Sequence, residues 1–296
     1  MILELAAEID DWNTGIENVV EAEDGSRTWP ELFVAQFMGW RPLTASLRTP
    51  PGDGPHPVVV YIHGGGWLKG HPHLVSPVNR KLRITEQLLA AGYAVAAISY
   101  RLIGEGPFPM QIHDCAAGVR FLRANAGAFR IDPERFAAFG QSAGGHMALL
   151  LGVSLPPELQ GEVGMTGPSC KVQAVVDWYG VADMMIPYQG QSVEERLHLP
   201  ENPVGRLLGG PEGGEAMALA ASPVSHVDGT AAPVLIQHGT ADTIATFEHA
   251  EHMRDTLLAH NIPVVFEPLQ GAEHGFPNVE ASQLMPQMLD FLKKYL

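Results

Sequence analysis

Pro57-Val-Val-Val-Tyr-Ile62 is an unbroken apolar run. A strand with one wet face alternates apolar and polar side chains. This one does not alternate, so both of its faces must be covered, the condition of a strand inside a parallel sheet. Tyr93 to Ile98, Phe136 to Phe139, Val172 to Trp178, Pro233 to Gln237 and Val264 to Glu267 read as further strands. Helical patterns separate them. Pro77 to Ala91 is closed by Gly92, and after Pro109 the positions Ile112, Cys115, Ala116, Val119, Leu122 and Ala126 share one helical face. Phe247 to His260 and Met285 to Leu296 read as helices, and Leu43 to Arg48 and Asn18 to Glu23 as strands nearer the start. The alternation predicts one α/β domain over residues 1–296, a mostly parallel central sheet with helices on both faces. Hydrophobic content of 46% suffices for a sizeable core.

The least legible stretch carries Trp29, Leu32, Phe33, Phe37, Met38 and Trp40. Its spacing predicts a helix with Pro30 in the first turn. That helix would either pack on the domain or form part of a lid over a pocket, where bulky apolar side chains serve.

Sheets of this kind place their sites just beyond the carboxyl ends of the strands. There, Gly140-Gln-Ser-Ala-Gly144 joins the strand ending at Phe139 to the helical run His146 to Leu151. G-x-S-x-G between strand and helix is the nucleophile elbow. The turn is tight, so Gly140 and Gly144 answer a steric need. It would lift the Ser142 hydroxyl clear of the sheet and aim the Ala143 amide at developing negative charge. Among 32 glycines the pattern alone is a weak signal.

Further features strengthen it. A serine hydroxyl needs a base to take its proton and a third group to orient that base, and on this architecture the chain order is Ser, Asp or Glu, then His. Asp242 follows the strand 233–237, and His274 lies in the loop after the last strand, in Gly271-Ala-Glu-His-Gly275. Glu273 and Asp183 compete for the acid role. His63-Gly-Gly-Gly-Trp67 follows the first buried strand. The amides of Gly65 and Gly66, with that of Ala143, could form an oxyanion hole, each donor worth about 2.7–4 kcal/mol of barrier. Gly64 shapes the turn and His63 braces the loop by hydrogen bonding. His146 reads as packing or capping. Trp67 is the candidate pocket wall, with packing beneath the loop as the competing role. His71-Pro-His73 and His249-x-x-His252 have ligand-like spacing but no third ligand, so both read as solvated pairs and no metal or other cofactor is expected.

A formal net charge of −15 and the lack of any Lys/Arg-rich run oppose nucleic acid and anionic membranes as partners. The first ten residues carry acidic side chains where a secretory signal carries basic ones, and no apolar run is long enough to span a membrane. Cys115 and Cys170 form no C-x-x-C pair, so a reduced, cytoplasmic chain is expected. A homodimer is compatible with the sequence.

Taken together, His63-Gly-Gly-Gly-Trp67, Gly140-Gln-Ser-Ala-Gly-Gly-His146, His238-Gly-Thr-Ala-Asp242 and Gly271-x-x-His-Gly-Phe276 resemble α/β-hydrolases of the hormone-sensitive-lipase-like (fold-3) group. Ser99-Tyr-Arg-Leu102, Val175-Val-Asp-Trp-Tyr-Gly180 and Arg206-Leu-Leu-Gly-Gly-Pro211 narrow the resemblance to bacterial esterases of the feruloyl-esterase-like type. It covers about residues 42–296, and residues 27–41 depart from it. The resemblance implies carboxylic-ester hydrolysis through an acyl-enzyme, with Ser142, Asp242 and His274 as the triad, and the expected substrate is a small or medium, partly aromatic ester. The resemblance also implies a small cap from the N-terminal stretch and the 180–220 insertion. An amidase or arylformamidase using the same triad is the neighbouring alternative. A ligand receptor on a degenerate hydrolase fold is the distant one.

Overall fold

The computed structural model describes residues 14–37 and 41–296. Nine strands form one sheet in the order β1-β2-β3-β5-β4-β6-β7-β8-β9. They are β1 (Val20–Glu21), β2 (Arg27–Ala35), β3 (Leu43–Thr49), β4 (His56–Ile62), β5 (Ala94–Ile98), β6 (Ile131–Gln141), β7 (Ala174–Trp178), β8 (Val234–Gly239) and β9 (Val264–Leu269). From β5 through β9 every pairing is parallel, while β1, β2 and β3 add an antiparallel flank.

The valine run in β4 divides its side chains between two cores. Val58, Val60 and Ile62 enter one cluster, with Ile112 of the helix Met110–Ala124 and Met147 of the helix Ala143–Gly152. Val59 and Tyr61 enter the other, with Leu88 of the helix Ile84–Ala90 and Met288 of the helix Ala281–Tyr295. Both faces are therefore covered, as the lack of alternation requires. Ile62 is fully buried, so Ile62→Ala would cost about 2–5 kcal/mol.

Three expectations are corrected. Residues 27–35 form a strand, not a helix. Trp29 pairs with Leu47 and Leu32 with Ala45, so β2 spends three residues where β3 spends two. This bulge keeps Trp29 and Leu32 on one face and imitates a helical i, i+3 spacing. Pro30 lies inside it, where no ladder amide is required. Met38 and Trp40 lie outside the described residues. The helix expected over 77–91 is two helices, Pro77–Leu82 and Ile84–Ala90, separated by Arg83 at φ 51°. The closing helix starts at Ala281, four residues before Met285, because Glu280 and Gln283 form a capping box upstream of Pro286.

Candidate active site

At the end of β6 the chain reverses into the helix Ala143–Gly152 through Ser142, which sits at φ 54°, ψ −120°. A residue other than glycine holds such a backbone only when its surroundings compel it. Here the Ser142 amide donates to the Trp178 carbonyl at 2.9 Å, fastening the turn to β7. A Cβ on Gly144 would strike the Ile62 carbonyl, and one on Gly140 would strike the Gly144 carbonyl. Only glycine permits this closeness.

Three loops converge on Ser142. Asp242 follows β8 and is buried. Its Oδ1 accepts from the amides of Ile244 at 2.8 Å and Ala245 at 3.0 Å. Its Oδ2 lies 2.7 Å from His274 Nδ1, and His274 Nε2 lies 3.0 Å from Ser142 Oγ. A carboxylate only accepts, so Nδ1 carries the imidazole proton, and the Nε2 lone pair faces the serine hydroxyl. Burial opposes ionisation of Asp242, but hydrogen bonds from His238, His274 and the Ile244 amide hold its carboxyl well below the usual range. His238 Nε2 approaches the same Oδ2 at 3.4 Å and lies 2.8 Å from the Ala245 carbonyl. Tyr179 meets the His274 ring edge-on at 4.8 Å.

The glycine loop faces the serine from the end of β4. Gly65 and Gly66 line a cavity of about 670 Å³ that also contains Ser142 and His274. Among the described residues, neither glycine's amide donates to a backbone oxygen. Gly64 packs so closely on the Gln141 carbonyl that a side chain there would collide. His63 braces the loop, with Nδ1 2.9 Å from the Gly64 carbonyl and its ring stacked on Tyr100 at 4.3 Å. Burial pushes its imidazole down to about 4.

Trp67 does not line this cavity. It is buried, and its indole donates to His146 Nδ1 at 3.2 Å while His146 Nε2 lies 2.6 Å from the Ala221 carbonyl. A backbone φ of 56° at Trp67 accompanies this placement of the ring beneath the loop. The cavity is lined from 61–80, 141–142, 179, 244 and 274–275. Neither residues 14–37 nor 180–225, the segments expected to cap it, contribute to its walls. In their place stand Leu74, Val75, Pro77 and Val78.

That wall is tied down by Gln141, a residue inside the elbow motif to which the motif itself assigns no role. Gln141 Oε1 accepts from Ser76 Oγ at 3.0 Å and Tyr61 Oη at 3.3 Å, and its Nε2 donates to Asn79 Oδ1 at 2.5 Å. The sequence carries a signal for it: a buried amide beside an elbow serine must find partners. Tyr179 has no comparable sign.

The competing residues lie elsewhere. Glu273 is exposed, and Asp183 pairs with His252 at 3.0 Å. The His71 and His73 rings lie 5.0 Å apart. Among the described residues no group of three His, Cys, Asp or Glu side chains converges as metal ligands would.

Residues 47–257 match the BD-FAE family. The chain belongs to that family. This BD-FAE chain is 30% identical over 238 residues to Esterase LipC of Mycobacterium tuberculosis, covering 78% of the chain and 56% of LipC. It is 36% identical over 133 residues to Carboxylesterase NlhH of the same organism, covering 44% of the chain and 37% of NlhH. The chain thus spans little more than half of LipC's length. Among solved structures, the bifunctional GH43-CE of Bacteroides eggerthii superposes with a TM-score of 0.77 at 27% identity, over 90% of this chain and 38% of that one. A truncated carbohydrate esterase from gut microbiota gives 0.76 at 24%, over 93% and 98%, a likeness of fold. No described helix of the BD-FAE chain is long and apolar enough to cross a membrane.

Proposed function

We propose that this chain is a serine carboxylesterase working through an acyl-enzyme, with Ser142 as nucleophile, His274 as general base and then acid, and Asp242 as the group that orients His274. The reading is carried by the line of two hydrogen bonds, 2.7 Å and 3.0 Å, that joins carboxylate, imidazole and hydroxyl. Its chemistry follows from that line. As Ser142 Oγ attacks an ester carbonyl, its proton passes to His274 Nε2, and the imidazolium is stabilised by Asp242. The carbonyl oxygen takes up negative charge opposite the amides of Gly65, Gly66 and Ala143. The protonated Nε2 then gives its proton to the departing alcohol. Water, deprotonated by the same nitrogen, releases the acid and restores Ser142. No cofactor is needed for any step.

The cavity and its apolar side chains support small to medium esters, aromatic ones included, since Tyr61 and Tyr179 both reach the lining. The named activities of LipC and NlhH point the same way. A fluorophosphonate should label the chain once, at Ser142, and Ser142→Ala should lose both label and 4-nitrophenyl acetate turnover. Undiminished turnover by that variant would end the proposal.

A further inference from the structure

The walls of the Ser142 cavity carry charge of a single sign. The chain has 33 Asp and Glu against 18 Lys and Arg. Even so, no acidic side chain among the described residues lines this cavity, while Lys69 and Arg80 both do. Arg41, Lys81 and Arg101 each pair with a carboxylate. Lys69 and Arg80 have no ion-pair or side-chain hydrogen-bond partner among the described residues. Both are exposed at the rim, so their ammonium and guanidinium groups are open to a ligand.

Their backbones are fixed on the two segments nearest the serine. The Lys69 amide donates to the Gly65 carbonyl, and the Lys69 carbonyl packs against Gly65 itself. Arg80 lies in the helix Pro77–Leu82, whose capping Ser76 and following Asn79 are both bonded to Gln141, next to Ser142. The walls between are apolar, with Leu74, Val78 and Ile244. An acidic protein repels anions at long range, so two free cations at one apolar cavity focus a local field of opposite sign.

We infer that the site takes esters that also carry a carboxylate or other anionic group, received by Lys69 and Arg80 while the ester carbonyl lies at Ser142. The inference rests on the esterase reading and refines its substrate class. The anionic group is recognised and leaves unchanged; only the ester bond is exchanged for water.

The charge could sit on either side of the ester, and two substrate pairs separate these cases. On the acyl side, 4-nitrophenyl hydrogen adipate is compared with 4-nitrophenyl hexanoate. On the alcohol side, 3-acetoxybenzoate is compared with 3-acetoxybenzamide. In at least one pair, the anionic-to-neutral ratio of kcat/KM should fall roughly 5- to 20-fold in the variant Lys69→Gln/Arg80→Gln, as expected for two accessible ion pairs. The wild-type ratio should also fall as NaCl rises from about 0.02 M to about 0.5 M. Lys69→Glu/Arg80→Glu should shift preference toward an ester bearing a trimethylammonium group, a gain that misfolding cannot produce. Ratios unchanged within about twofold in both pairs would overturn the inference. Calorimetric binding of the corresponding amides to Ser142→Ala reads the same preference without turnover. Failure to hydrolyse any ester would refute the esterase reading alone, because the binding preference still shows whether the anionic group is recognised.

Discussion

Asp242 meets His274 with only one of its two oxygens. Oδ2 holds the imidazole at 2.7 Å, while Oδ1 is occupied by the amides of Ile244 and Ala245. This division decides what a near-isosteric substitution would do. In Asp242→Asn the amide oxygen stays on the two backbone donors, so the NH2 group must face His274 Nδ1. The imidazole then keeps its proton on Nε2 and confronts Ser142 with a donor. We expect kcat to fall about 10⁴-fold with little change in KM. Steady-state kinetics on 4-nitrophenyl acetate check this, and a loss below tenfold would contradict the orienting role.

Gln141 links the elbow to the cavity wall through Ser76, Tyr61 and Asn79. Gln141→Leu strands three polar groups and frees the segment 74–80. A stability loss of about 2–4 kcal/mol is expected, from unpaired buried groups. KM should rise more than kcat falls, because the reacting groups keep their own partners. Denaturant titration together with ester kinetics separates the two effects.

Trp67→Phe tests the placement of the indole under the glycine loop. The substitution removes the hydrogen bond to His146 Nδ1 while keeping most of the ring. Stability should drop by about 1 kcal/mol, and KM across an acyl-chain series should keep its order. A reordered series would return Trp67 to the pocket wall.

Asp177 supplies a pH-dependent prediction. Burial pushes its carboxyl from 3.8 up to about 7, against the lowering effects of His238 and of the Gly180 amide, whose bond to Oδ1 is 3.0 Å. A carboxyl raised in the folded state binds its proton more tightly there than in the unfolded chain. Its contribution to stability therefore declines as pH climbs from about 4 to about 7, by ~4 kcal/mol at most. Asp177→Asn keeps the acceptor for Gly180 and removes the titration. Relative to the parent, the variant's Tm should improve by roughly 3 °C or more between about pH 5 and about pH 8. A constant difference across that range would show that Asp177 is ionised in the folded chain.

The inner parallel strands were legible because burial on both faces makes their runs mostly apolar, while half-buried β9 was legible from its Val264-Val265-Phe266 run. The elbow, the acid after β8 and the imidazole after β9 were legible because each follows a recognisable strand. Residues 27–35 were not, since the bulge between Trp29 and Leu32 converts a two-residue period into three. The direction of Trp67 was hidden for a different reason: spacing says which residues neighbour a loop, but not how a positive φ turns the side chain. Gln141 and Tyr179 act through partners more than 30 residues away, Ser76 and His274, and no local pattern announces such meetings.

The bond from the Ser142 amide to the Trp178 carbonyl gives the reactive turn no freedom apart from its neighbouring strand. On heating, reactivity toward a fluorophosphonate should therefore vanish together with the far-ultraviolet signal of the sheet. The segment 74–80, a wall of the Ser142 cavity tied to Gln141 through the side chains of Ser76 and Asn79, should loosen first, so discrimination among esters should blur at a lower temperature. The molecule would lose its selectivity before it loses its chemistry.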